Sequence, residues 1–307
     1  MPQPEKTRQN LQVSFGASRA PLWSTGLPVL HGDPIESVLR GGVFDRRAGA
    51  WTLYRDGPWL LGAASVHVTS GAEPATRALY DDLFQIVGRR RLARVWHYVP
   101  TINLPEDGGL ERYRAFSRGR SLAFEAAFGS DFHGFVPAAS AVGTDGEQLV
   151  AFFAATEGDA WHVENPQQVP AYRYPVEHGP RSPTFARATV VAGKGGCSDV
   201  FISGTAAIRG HATVAPHEIV PQLACTLENL AVISEACRVG PDLACGRAER
   251  RHFKVYLRHA GDLPYVRSVL ERELVTPEDQ VVYLRSDVCR AGLDVEIEAT
   301  LFGVATA

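Results

Sequence analysis

The residues best suited to chemistry lie in a strand-like segment near the end of the chain, VEIEATLFG at 295–303. Glu296 and Glu298 alternate there with Val295, Ile297 and Ala299, and strand residues two apart share a face. That face either meets water, as charged strand faces usually do, or lines a cleft. In a cleft, burial raises a carboxyl pKa and makes the group a usable general acid. A second set is cationic. Tyr113 and Arg120 are seven residues apart in a segment with helical spacing, hence on one face; the plain alternative is a half-buried Tyr and a solvated Arg. Arg187 falls on the same side of an expected strand as Phe185 and Thr189, which makes it the inward candidate, with Arg181 in GPRSP as second choice. A guanidinium fork matches a carboxylate. Tyr172 and Tyr174, in a Pro-rich connector, either pack or touch a ligand. Cys289, taken alone, is a small buried hydrophobe. His97 and His211 each end a strand and are read as structural histidines rather than proton shuttles.

These residues need elements to hold them. The first forty residues are rich in Pro, Gly and polar groups and read as irregular. Strands are expected at 51–55 and 59–68, a helix at 73–89, a strand at 92–99, a helix at 109–128, and strands at 138–142 and 148–156. Gly143-Thr144-Asp145-Gly146 between the last two is a hairpin signal. After the connector the order returns: strands at 185–192 and 199–208, a helix at 216–238 opened by Pro216 and His217, a strand at 252–258, a helix at 262–274, and strands at 281–285 and 294–302. Both halves follow β-β-α-β-α-β-β, an internal repeat. The fold class is therefore α/β, with helices on one face of each sheet. The division is an irregular 1–40, a first half at 41–157, a connector at 158–184 that contributes to the pocket, and a catalytic half at 185–307. A pocket is expected between the halves.

Composition limits the rest. Of 307 residues, 45% are apolar and 21% charged, and net charge is −3, the profile of a packed globular protein. Arg89-Arg90-Arg91 is a solvated helix end rather than a nucleic-acid patch. No apolar run is long enough to cross a membrane, and MPQPEKTRQN lacks the apolar stretch of a secretory signal. Five cysteines without CxxC spacing point to reduced thiols in the cytoplasm and against a thiolate zinc site. The histidines show no HExxH pattern, and Gly193-Lys194-Gly195-Gly196 is a hairpin turn, not a phosphate loop. No metal or organic cofactor is expected.

FISGTA followed by a helix, and a terminal VEIEA, resemble the YjgF/RidA (chorismate-mutase-like) family over roughly 185–307. The resemblance implies that the first Glu of VEIEA, Glu296, lines a cleft between copies of the fold. That family carries a carboxylate-binding Arg about fifteen residues earlier, where this chain has Val281; Arg285 and Arg290 are nearby but out of register. Such a departure argues against an imine hydrolase or metabolite-binding protein, which stays as the alternative class. ARVWHYVPTIN, RYRAFSRGRSLAF, QVPAYRYPVEHGPRSPTFARA, FISGTAAIRGHATV and the Cys-to-VEIE tail, in that order, resemble the chorismatases, which join a divergent half to a YjgF-like half.

This resemblance implies cleavage of chorismate with loss of pyruvate, started by Glu296 protonating the enolpyruvyl methylene. Tyr113 and Arg120 would then contact one substrate carboxylate, Arg187 or Arg181 the other, and Tyr172 would lie over the pocket. Hydroxybenzoate-forming members carry Gly within FISGTA and a Cys seven residues before the catalytic Glu; hydrolytic members carry Ala at the Gly position. Gly204 and Cys289 match the former, so 3-hydroxybenzoate is the expected product, with the diene diol, 3,4-dihydroxycyclohexa-1,5-dienecarboxylate, as alternative and a mixture with 4-hydroxybenzoate also open. The expected partner is the small-molecule substrate, with no nucleic acid or membrane. The chain is expected as a monomer, its repeat supplying the neighbour, or as a homotrimer.

Overall fold

The computed structural model describes residues 10–16, 23–39, 41–106 and 108–305. Its main elements are β1 (Val29–His31), β2 (Val43–Ala48), β3 (Trp51–Asp56), β4 (Trp59–His67), α1 (Ala72–Val87), β5 (Arg91–Pro100), α2 (Arg112–Phe128), β6 (Ala138–Thr144) and β7 (Gln148–Thr156). There follow β8 (Ala160–Val163), β9 (Ala188–Ala192), β10 (Cys197–Ala206), α3 (Ile219–Ala236), β11 (Arg250–Leu257), α4 (Leu263–Glu273), β12 (Gln280–Arg285) and β13 (Val295–Ala305).

Two sheets result. The first runs β2-β3-β4-β7-β5-β6 and the second β8-β9-β10-β13-β11-β12-β1. The expected α/β repeat is present: in both, the last strand of the half inserts at the centre, antiparallel to its neighbours. This overturns the hairpin expected at Gly143–Gly146. β6 pairs in parallel with β5, while β7 lies on the far side of β5, between β5 and β4. The signal for this was burial rather than turn chemistry. LVAFFAAT is apolar on both faces, as a central strand must be.

Three other expectations change. The first forty residues are not wholly irregular, since Val29–His31 extends the edge of the second sheet. The connector supplies β8, which pairs with β9. α2 starts three residues late because Gly108 and Gly109 hold left-handed φ values of 92° and 82° just before it.

α1 and α2 pack on one face of the first sheet through Leu79, Leu83, Phe116 and Phe124. α3 and α4 cover one face of the second through Leu223, Leu230, Val266 and Leu270. The helix-free faces meet each other, burying Trp96, Tyr98 and Phe152 against Phe201, Tyr256 and Leu284. This third apolar layer makes the halves one body.

The open edge of β6 is closed by the second half. Thr189 Oγ1 accepts from the Ala138 N–H and Ser203 Oγ from the Ala139 N–H, both at 2.9 Å. Farther along, the Gly143 N–H donates to the Asp287 carbonyl at 2.7 Å. An edge strand is thereby satisfied without further pairing. No helix of the described residues is long and apolar enough to cross a membrane.

Candidate active site

Glu296 and Glu298 are each 3% exposed, so the wet reading of that face fails. Both point into the layer between the sheets, but into different company.

Glu298 is enclosed by charge. Its Oε2 lies 2.7 Å from Arg94 Nη2 and bonds Ser140 Oγ; its Oε1 lies 2.9 Å from Lys254 Nζ and accepts from Trp96 Nε1 at 2.9 Å. Lys254 also pairs with Glu36. Two acids and two bases leave this buried group neutral. Burial alone would raise the Glu298 pKa, but Lys254 and Arg94 outweigh it and draw it down to about 2.

Glu296, two residues earlier, lies beside a cavity. Burial, reinforced by the negative charge of Glu298, raises its pKa to about 8; Arg94, Arg187 and a hydrogen bond with Cys289 pull only partly the other way. At neutral pH this carboxyl therefore holds its proton. Its Oε1 has no hydrogen-bond partner among the described residues.

The cavity has an inner and an outer chamber that share Tyr113, Pro183, Phe185, Gly204, Cys289 and Glu296. α2 supplies Tyr113 and Arg120, as the seven-residue spacing required. Arg120 is 3% exposed and sits over the Tyr80 ring at 5.2 Å, yet its Nε and Nη2 have no hydrogen-bond partner among the described residues. Buried guanidinium donors without acceptors are costly, so this is a place built for an anion. Burial lowers its pKa from the ordinary value, but an arginine still stays charged at neutral pH. Burial also pushes the Tyr113 phenol well above its ordinary value, so it remains a donor.

Arg187 lines the outer chamber. Its Nη2 donates to Tyr174 Oη at 2.7 Å, and its Nε has no hydrogen-bond partner among the described residues. Arg290 lines the same chamber, with its guanidinium 5.3 Å from the centre of the Tyr174 ring. Cys289 stands between the chambers. Burial and then the neighbouring Glu296 push its pKa to about 12, so it is a thiol and not a thiolate.

Gly204 owes its position to a bulge. Ile202 pairs with Ala299 and Thr205 with Ile297, so β10 spends one residue more than β13 over that interval. The extra length brings Gly204 against Glu296, where a Cβ would overlap the carboxyl Oε1. Only glycine leaves that carboxyl where it is.

Not every expected residue arrives. Tyr172 stacks on His133 at 4.5 Å and lies away from both chambers. Arg181 is 39% exposed and pairs with Glu125 at 2.7 Å. Tyr174 and Arg290 take those places. Reading from sequence passed over Arg94, Ser140, Lys254 and Glu36, whose role is to fix Glu298. A buried charge alternating with Trp96 and Tyr98 in ARVWHYV was the one available sign of Arg94. His97 is structural: Nδ1 lies 2.7 Å from the Ser140 carbonyl oxygen and Nε2 2.8 Å from Tyr80 Oη, and burial lowers its pKa well below the usual value.

Comparison with known proteins identifies the family. The N-terminal domain of FkbO/Hyg5-like chorismatases matches residues 39–155. A 3-hydroxybenzoate synthase of Streptomyces hygroscopicus is 36% identical over 92% of this chain and 81% of its own. A chorismatase of Streptomyces rapamycinicus is 37% identical over 87% of this chain and 79% of its own. A chorismatase crystal structure superposes with a TM-score of 0.79 at 30% identity, covering 98% of this chain and 95% of that one. With the sequence similarity spanning nearly the whole length and the two-sheet architecture shared, the chain belongs to the chorismatase family.

Proposed function

We propose that this protein cleaves chorismate to 3-hydroxybenzoate and pyruvate. The observation that carries this reading is Glu296: a buried, protonated carboxyl with a free oxygen, flanked by the unpartnered donors of Arg120 and Arg187. Chorismate carries two carboxylates and an enol ether. Arg120 with Tyr113 would hold one carboxylate, and Arg187 with Arg290 the other. Glu296 would give its proton to the enolpyruvyl methylene, leaving an oxocarbenium carbon and making pyruvate a leaving group. The developing cation is stabilised by the carboxylate that Glu296 becomes.

The ring hydroxyl then attacks the neighbouring ring carbon as the pyruvyl C–O bond breaks, and the resulting arene oxide opens to the phenol. The atoms of the two products sum to those of chorismate, so no net water is consumed. The diene diol route adds one water. A Cys289 thiol beside the acid supports the first course, as a proton donor during opening of the oxide. Gly204 supports it too, as the residue that hydroxybenzoate-forming members carry at this position.

In this reading 41–157 contributes the Arg120 side of the site, 158–184 part of its roof, and 185–307 the acid. The free thiols of all five cysteines suit a reducing cytoplasm. Incubation with chorismate and chromatography of the products tests the proposal. Absence of pyruvate overturns it; a diene diol in place of hydroxybenzoate overturns the product assignment alone.

A further inference from the structure

Two segments meet beside the outer chamber, to whose lining they contribute His178 and Ile208. One is the turn Val176–His178 of the connector. The other is the tip of a two-residue hairpin, Ile208–Arg209 against Ala212–Thr213, which carries His211. His178 Nε2 lies 3.0 Å from His211 Nδ1. Glu177 Oε1 lies 3.5 Å from the first nitrogen and 3.4 Å from the second. Each of the three residues offers one ligand atom, and these atoms all lie within 4.8 Å of one another.

We propose that Glu177, His178 and His211 form a binding site for a divalent transition ion of the zinc class, and that its occupancy restricts access to the cavity. A tetrahedral zinc with ligands about 2.0–2.1 Å away places its donors roughly 3.3 Å apart, and the triangle has close to that spacing on all three sides. Two imidazoles and one carboxylate favour zinc, cobalt or nickel over magnesium or calcium, which prefer oxygen cages. Arg290 works against a dication, and Glu177 offsets that charge.

Three protein ligands leave a fourth position open. His178 itself lines the outer chamber. An ion here ties the connector turn to the hairpin beside the chamber that a substrate must enter. The binding part of this proposal stands apart from the identity of the substrate; the restriction of access rests on the chorismate reading.

The test titrates the metal-free full-length protein with cobalt(II) and reads the visible spectrum, with magnesium as control. The wild type is expected to give an intense tetrahedral spectrum saturating at one equivalent. His211→Ala and Glu177→Gln should each weaken binding at least tenfold. Neither side chain lines the cavity, and the exposed Glu177 makes the second variant a safe control for folding. A missing tetrahedral spectrum, or equal binding by both variants, overturns the site. In parallel, zinc should lower wild-type pyruvate release, chelation should restore it, and His211→Ala should resist the ion. Zinc binding with unchanged turnover overturns the restriction of access but leaves the site standing.

Discussion

At the scale of residues, the site is a contrast between two carboxyls on one strand face. Glu298 is held ionised by Lys254 and Arg94, and its charge helps to keep Glu296 protonated. A general acid must carry its proton, so kcat/KM for chorismate should be full below about pH 8 and fall as pH rises through that value. A pH–rate profile with no alkaline limb near there would refute the assignment. Glu296→Gln should lower kcat/KM by about 10²- to 10⁴-fold while the circular dichroism spectrum is unchanged. Cys289→Ala removes the thiol without removing the acid, and should divert product from 3-hydroxybenzoate towards the diene diol. An unchanged product ratio would take Cys289 out of the pathway. The shared face of the two glutamates was legible in VEIE. Their opposite protonation was not, because Arg94 comes from 204 residues away and no local pattern encodes that meeting.

At the scale of elements, each wall of the cavity comes from a local irregularity. The bulge in β10 delivers Gly204, the late start of α2 follows two left-handed glycines, and the edge of β6 is completed by Thr189 and Ser203 rather than by a strand. Periodicity gave α2 and the shared face of Tyr113 and Arg120, because 3.6-residue spacing is a local property. It could not give the insertion of β7 at the sheet centre, since strand order is decided by which strand can be buried on both faces. Strand alternation ranked Arg187 above Arg181, but could not show the partners that hold each in place, the Tyr174 hydroxyl and Glu125. The cavity end of α2 offers a direct test. Arg120→Lys keeps the charge but loses the planar fork, and charged hydrogen bonds of about 1.5–3 kcal/mol are at stake. KM for chorismate should rise by about tenfold or more, with kcat less affected. A variant with wild-type KM would remove Arg120 from substrate binding.

At the scale of the whole molecule, the repeat was visible in element order, but the way its copies face each other was not. They pack through their helix-free faces, with the neutral group of Glu36, Lys254, Glu298 and Arg94 buried between them. Removing one member leaves a buried charge unpaired. Lys254→Met should therefore cost about 3–5 kcal/mol in denaturant unfolding. A loss below 1 kcal/mol would mean that the group contributes little to holding the sheets together. The same packing bears on assembly. Tyr113, Arg120 and Ser140 reach the cavity from the first half, and Gly204, Cys289 and Glu296 from the second, all on one chain. A site completed within the chain needs no neighbour, whatever larger assembly the protein forms. Specific activity with chorismate should then stay constant as the enzyme is diluted from micromolar to nanomolar concentration, including across any dissociation seen by light scattering. Loss of activity in step with dissociation would show that a second copy supplies part of the site, and the division of labour between the two sheets would have to be redrawn across an interface between chains.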